Sequence, residues 1–244
     1  MKLFIKKLIL IFFFTSISKF TFSHEFWIDP KKYHLTNNEI AEANIFIGEN
    51  FEGSSMPFDK EYFVALNLYA ENKKNKIKGR LGDIPALQIK KMSKGLNIIQ
   101  VESEMNYVEY NGLLKFEIFS LNKGYHNLVK KHKEKNYPNN FFESYKRYAK
   151  SIISVDNFDG KDVDTNMDLE LIFLDNPLIN LNEGKRILLE YKNEKLSDHK
   201  VSIMSLKNDY FKKESFRTNE AGYFYFFFEK KTKYLIESVV IIEG

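Results

Sequence analysis

From residue 41 onward, apolar positions either alternate with polar ones or run together in short bursts. "AEANIFIG" (41–48), "EYFVALNLYA" (61–70), "GLNIIQVESE" (95–104) and "GLLKFEIFSL" (112–121) are short and rich in β-branched and aromatic residues. Turn formers separate them in "GEN", "GSSMP", "NKKNK" and "EYNG", so each is predicted as a strand. Within 61–70, alternation sets Tyr62, Val64, Leu66 and Leu68 on one face and Phe63, Ala65, Asn67 and Tyr69 on a wetter one. That is the pattern of an antiparallel sheet packed on one side.

Residues 124–154 break the alternation. "GYHNLVKKHKEK" and "NNFFESYKRYAKSIISV" are predicted as two helices separated at Tyr137-Pro138. Phe141, Tyr145, Tyr148 and Ile152 recur at helical spacing, with Asn139 or Asn140 as N-cap. This helical insertion is expected to pack its aromatic stripe on a sheet. "DNFDGKDVDTN" (156–166) reads as a polar loop, and "DLELIFLD" (168–175) returns to strand. From Gly184, strand and turn alternate at intervals near ten residues, which predicts a small β-sandwich. In "RTNEAGYFYF", Thr218, Asn219 and Gly222 can build a tight turn, with glycine free to take a positive φ.

The N-terminus changes what the chain is expected to be. "MKLFIKK" carries three lysines and no acid, and "LILIFFFTSIS" follows as an apolar run. That run is too short for a membrane helix, which needs about 20 apolar residues. It fits a secretory signal peptide over residues 1–23, cut between Ser23 and His24 with Thr21 and Ser23 as the small flanking residues. Of 37 Lys and Arg residues, four (Lys2, Lys6, Lys7 and Lys19) precede His24, so the remaining 33 balance the 33 acids. A neutral exported chain has no electrostatic footprint for nucleic acid. The absence of cysteine excludes disulfides, thiolate metal sites, cysteine nucleophiles and a lipid-attachment cysteine. A periplasmic product with no stable membrane anchor is the expectation.

Four motifs stand in order: "HEFW" with Pro30 behind it, Gly48-Glu49-Asn50-Phe51-Glu52-Gly53, "YKRYAK" (Tyr145, Arg147, Tyr148, Ala149, Lys150), and "TNEAGYFYF" near the end. In this order they resemble an exported bacterial family known as domain of unknown function 4198, commonly labelled as nickel- or cobalt-uptake periplasmic components. The resemblance implies a β-rich N-terminal domain and a transthyretin-like or carboxypeptidase-regulatory-like C-terminal sandwich. The expected fold is therefore mainly β: two β-sandwich (Ig-like or transthyretin-like) domains, 24–175 and 184–244, with a helical insertion near 124–154 in the first. The chain departs from the family with Asn219 for Asp. It ends at "VVIIEG" where relatives continue, which predicts an unpaired edge, and it has Val239 or Val240 where relatives often carry His.

His24 is the sharpest chemical candidate. A free α-amine and an imidazole on one residue can chelate a single transition-metal ion of the nickel, cobalt, copper or zinc type. A complete site needs folded partners, and His34, His126, His132 and Glu25 are available; His24, His34 and His126 are the predicted ligands. His126 and His132 lie six apart and share no helix face. Trp27, the only tryptophan, is predicted to anchor the N-terminus with Phe26 and Pro30. Arg147 and Lys150 are expected on a solvated helix face, and His199 at the surface. No G-x-S-x-G, H-E-x-x-H, P-loop or G-x-G-x-x-G pattern occurs, so an enzyme is not expected. The predicted function is a periplasmic binding protein that captures a metal ion or hands it to an inner-membrane transporter. The alternative is a non-metal interaction module for an envelope protein or glycan.

Overall fold

A computed structural model describes residues 24–71 and 73–243. The predicted leader, residues 1–23, lies outside the described residues. The chain is mainly β. The first sheet runs β1 (Glu25–Pro30), β3 (Ala41–Glu49) and β4 (Glu52–Met56), with β7 (Leu87–Ile89) also paired to β3. The second has the order β2 (His34–Leu35), β11 (Tyr148–Val155), β8 (Gly95–Ser103), β5 (Phe63–Ala70) and β6 (Lys73–Lys76). Ile28, Ala43, Ile45 and Leu87 of the first sheet share one core with Leu66, Leu68, Ile99, Val101 and Ile153 of the second.

Alternation along 61–70 does not run unbroken. The β5–β8 register shifts between Phe63 and Ala65, so a bulge inserts one residue and flips the phase. Phe63 joins Leu66 and Leu68 in the core, and Val64 turns out to solvent at 50% exposure. The polar face of the sheet is covered too. Asn67 and Tyr69 both donate to Gln100 Oε1, at 2.8 and 3.0 Å, and Tyr69 reaches the Thr165 carbonyl at 3.2 Å. The 156–166 loop, irregular as expected, is the lid over this polar row.

Two segments take the opposite structure from the one their pattern predicts. The segment 112–121, read as a strand, falls instead in α1 (Leu113–Asn122), whose buried positions Phe116, Phe119 and Ser120 follow the helical repeat. Gly124 closes this helix and does not open the next: it has φ 93° and donates to Leu121 O, while Tyr125 donates to Ser120 O. That pair of bonds is the Schellman C-cap, which favours glycine at the left-handed position. The predicted helix in 124–135 shortens to α2 (Leu128–Glu134). The predicted helix over 139–155 is instead β10 (Asn140–Tyr145) followed by β11. Phe141 and Tyr145 are four apart, an even spacing that shares a face in a strand as well as in a helix. The β-branched run at the end then pairs with β8 over eight positions. β10 forms a two-stranded ribbon with β9 (Asn106–Asn111), and the ribbon packs Tyr110 and Phe141 against Phe116, Phe119 and Val129.

After the loop, β12 (Leu169–Phe173), β13 (Lys185–Tyr191), β14 (Glu194–Lys195) and β17 (Tyr223–Phe226) form one sheet. β15 (Lys200–Lys207) stands between β16 (Tyr210–Arg217) and β18 (Lys233–Glu237) in another. Ile187, Leu189, Phe224 and Phe226 meet Val201 and Ile203 in a second core. The turn before β17 forms on the residues predicted for it. Asn219 Oδ1 accepts the Ala221 and Tyr223 N–H groups, Gly222 has φ 77°, and a Cβ there would lie 2.8 Å from Lys195 Cβ. β18 is an outer strand of its sheet. The segment after it lies against the helices, where Val239 O accepts from Tyr125 Oη at 3.2 Å and from His199 Nε2 at 3.0 Å.

Candidate functional site

The first and second motifs of the sequence are one construction. β1 and β3 pair from Glu25↔Gly48 to Pro30↔Ala43, and β3 turns into β4 through Asn50 and Phe51, both at positive φ (55° and 68°). Gly48 and Gly53 face each other across this hairpin. A Cβ on Gly48 would sit 2.0 Å from Glu52 O, and one on Gly53 would sit 2.4 Å from Ile47 O. Glycine is therefore required at both positions by close backbone approach. The intervening Phe51 points its ring at Phe211 of β16 (centroids 6.4 Å apart), with Lys233 Nζ 5.5 Å above it.

His24 stands exposed at the head of β1, and every residue after it is held. Glu25 is 6% exposed; its Oε2 accepts the Asn50 N–H at 2.7 Å and its Oε1 lies 3.5 Å from Lys213 Nζ. Burial, and next the charge of Glu237, push the Glu25 carboxyl above its ordinary value. Glu237 itself is bonded to Lys123 from the end of α1 at 2.6 Å. Trp27 is buried, as predicted for an anchor, and Asp29 takes Lys233 of β18 at 2.7 Å. The N-terminal strand is thus clamped at Glu25 and Asp29 by β16 and β18. Carried one residue past Glu25↔Gly48, the register sets His24 opposite Glu49, on the same face of the pair.

The predicted ligands His24, His34 and His126 do not form one group. Among the described residues no three His, Asp or Glu side chains gather closely enough to hold a metal ion. His34 Nδ1 is hydrogen-bonded to Ser154 Oγ at 2.9 Å, and its ring lies 4.7 Å from Phe158. His126 is exposed beside α1 and α2, lining an open groove of ≈ 340 Å³ with Glu117, Lys133 and Glu134. His132 gives its Nε2 proton to Pro138 O at 2.8 Å inside an aromatic cage of Tyr137 and Phe141. His199, expected at the surface, is half-buried, and burial lowers its basicity.

The third motif spans the end of β10, a two-residue link holding Arg147 and the start of β11, not a solvated helix. Arg147 stacks on Tyr145 at 4.4 Å, while Lys150 is buried between Asp162 and Glu170. Asp162 and Glu170 carry no spacing signal in the sequence, since a loop and a strand from different sheets bring them together. Sequence reasoning had no means of selecting them from 33 acids. No helix of the described residues is long and apolar enough to cross a membrane.

These features define a mainly β chain whose N-terminal strand is pinned by the β3–β4 hairpin and by lysines of β16 and β18. Residues 21–241 match the family described as a domain of unknown function (DUF4198), and the chain belongs to that family. No curated protein and no solved structure matches it.

Proposed function

We propose that this chain is an exported periplasmic binding protein of two β-sandwich units that captures or delivers a transition-metal ion through His24. The second unit begins at β12, which pairs with β13, and not at residue 184 as the sequence suggested. The sandwich reading draws on the two cores, each shared by a pair of sheets. The observation that carries the metal reading is His24 itself: it is exposed, yet heads a strand fixed from Glu25 onward. A leader cut at Ser23/His24 frees an amine beside the imidazole, and Glu49 opposite in register offers an oxygen. Nitrogen donors of this kind suit nickel, cobalt, copper or zinc, and an inner-membrane transporter is the proposed recipient.

The test uses untagged protein lacking residues 1–23, titrated with Ni²⁺ and Cu²⁺ by calorimetry. Both nitrogens must lose their protons to bind, so affinity should fall as pH drops through the imidazole range. One extra residue before His24 keeps the imidazole but moves the amine, and should weaken binding as much as His24→Ala. If the folded hairpin contributes, Glu49→Gln should weaken binding, and the isolated 24–34 peptide should bind far more weakly than the whole protein. No binding by the mature protein at neutral pH would overturn the metal reading.

One observation favours the interaction module for an envelope protein or glycan. Tyr107 and Phe142, each 69% exposed, sit diagonally on the outer face of the β9–β10 ribbon. Paired aromatic rings left in water are what a glycan or protein partner covers.

A further inference from the structure

Lys150, Asp162 and Glu170 form a closed triad between the two halves of the chain. Lys150 Nζ lies 3.0 Å from Asp162 Oδ2, 2.7 Å from Glu170 Oε1 and 3.2 Å from Val163 O. The three side chains are 9%, 0% and 2% exposed. Lys150 belongs to β11, Asp162 to the covering loop and Glu170 to β12. Both carboxylates are held rigidly. Asp162 Oδ1 accepts the Val163 N–H at 2.8 Å and Oδ2 the Phe173 N–H at 2.9 Å, while Glu170 accepts the Thr165 N–H and hydroxyl, each at 3.0 Å.

We propose that this triad is a self-modification site, at which Lys150 and Asp162 condense to an intramolecular amide with Glu170 as the proton carrier. Lys150 Nζ lies within hydrogen-bond distance of Asp162 Oδ2 at 3.0 Å, and passage of one ammonium proton along that contact to the carboxylate leaves an amine and a carboxylic acid. Nζ then attacks Asp162 Cγ and the C–N bond forms. Glu170, in contact with Nζ, takes the proton that nitrogen must lose and returns it to the departing Asp162 hydroxyl. The C–O bond breaks and one water leaves. Ammonium plus carboxylate gives amide plus water, with no oxidant, cofactor or outside reactant. Burial also raises the Glu170 carboxyl, which suits it to hold a proton in transit. Fixed reactants at this separation gain effective molarities of about 10⁵–10⁸ M in well-oriented cases, which offsets the usual advantage of water over amine. The product joins β11 to the loop in a chain that has no cysteine to cross-link it.

The experiment is an intact mass of the purified folded protein followed by tryptic mapping. The expected mass is one water lighter than the sequence of the purified species. Trypsin should fail to cut after Lys150 and should release a branched peptide joining 148–161 to 162–185. Glu170→Gln, an isosteric change, should fold but keep the full mass, and Lys150→Arg should do the same. Full mass in the wild type, with Lys150 cleaved normally, would overturn the proposal and leave a permanent buried ion triad. Loss of water carried by a linear peptide that mild base rehydrates would also overturn it, because that is a succinimide. A cross-link forming at the wild-type rate in Glu170→Gln would remove Glu170 from its assigned role.

Discussion

Trp27 on β1 lies stacked against Phe46 of β3, with ring centroids 5.3 Å apart and planes 19° from parallel. The two are direct cross-strand partners, and the indole is 4% exposed while its Nε1 finds no acceptor. Packing, not hydrogen bonding, therefore holds the ring. Trp27→Ala should cost about 3–5 kcal/mol. Trp27→Phe keeps an aromatic partner and removes an unpaired buried donor, so it should cost less than the alanine change. Urea unfolding followed by far-ultraviolet circular dichroism checks both. A Trp27→Ala loss under about 1 kcal/mol would be typical of a surface site.

The bulge in β5 makes opposite demands on two neighbours. Leu66 is 4% exposed in the first core and Val64 is 50% exposed. Leu66→Ala should cost about 2–5 kcal/mol, and Val64→Thr should fall within about 0.5 kcal/mol of wild type. Comparable losses at both positions would restore the unbroken alternation and remove the bulge.

Most of the strands were legible because their apolar positions alternate and their turns carry glycine or asparagine, as at Asn219 and Gly222. The errors share one cause. Phe141 and Tyr145 fit both periods, and "GLLKFEIFSL" alternates Phe116 with Ile118 while its helical repeat runs Phe116, Phe119 and Ser120. Short segments of that kind are decided by what they pack on, which here is a small third core. The anchoring of Trp27 could be read from its place between Phe26 and Pro30 at the start of the β-rich sequence. The clamp on Glu25 and the triad at Lys150 could not, because Lys213, Glu237, Asp162 and Glu170 arrive through tertiary contacts alone.

Asp175 gives the acid limb of stability a testable component. Its Oδ2 accepts the Arg186 backbone N–H and Nε at 2.9 and 3.0 Å, and its Oδ1 accepts Nη2 at 2.7 Å. The guanidinium hydrogen bonds hold the carboxyl at about 2, below its ordinary 3.8. A depressed folded value means a contribution present above the ordinary range and lost as pH falls from 3.8 toward 2. Asp175→Asn should therefore be less stable than wild type at neutral pH, with the gap closing across that window. A gap that stays constant down to the lower limit would show that ionisation of Asp175 contributes nothing.

The junction around Glu25 can be tested through its electrostatics. Burial raises the Glu25 carboxyl most and the Glu237 charge raises it next, with Asn50, Lys213 and Lys123 pulling the other way. A raised folded value means that this group favours the folded state below the ordinary glutamate range, and that the benefit disappears as pH rises through the folded value. Glu237→Gln removes one of the two raising causes and leaves the other. The Glu25 value should move down toward 4.5, and the neutral-pH penalty for its buried charge should shrink. The same change leaves Lys123, 11% exposed, with a neutral partner in place of a carboxylate, so net stability at neutral pH reflects both effects. Carboxyl-carbon NMR titration of Glu25 separates them, because it reports the Glu25 value regardless of the global balance. An unchanged Glu25 titration in Glu237→Gln would mean that β1 and β18 are not coupled through these charges, and that the clamp on the N-terminal strand rests on Asp29–Lys233 and the packing of Phe51 instead.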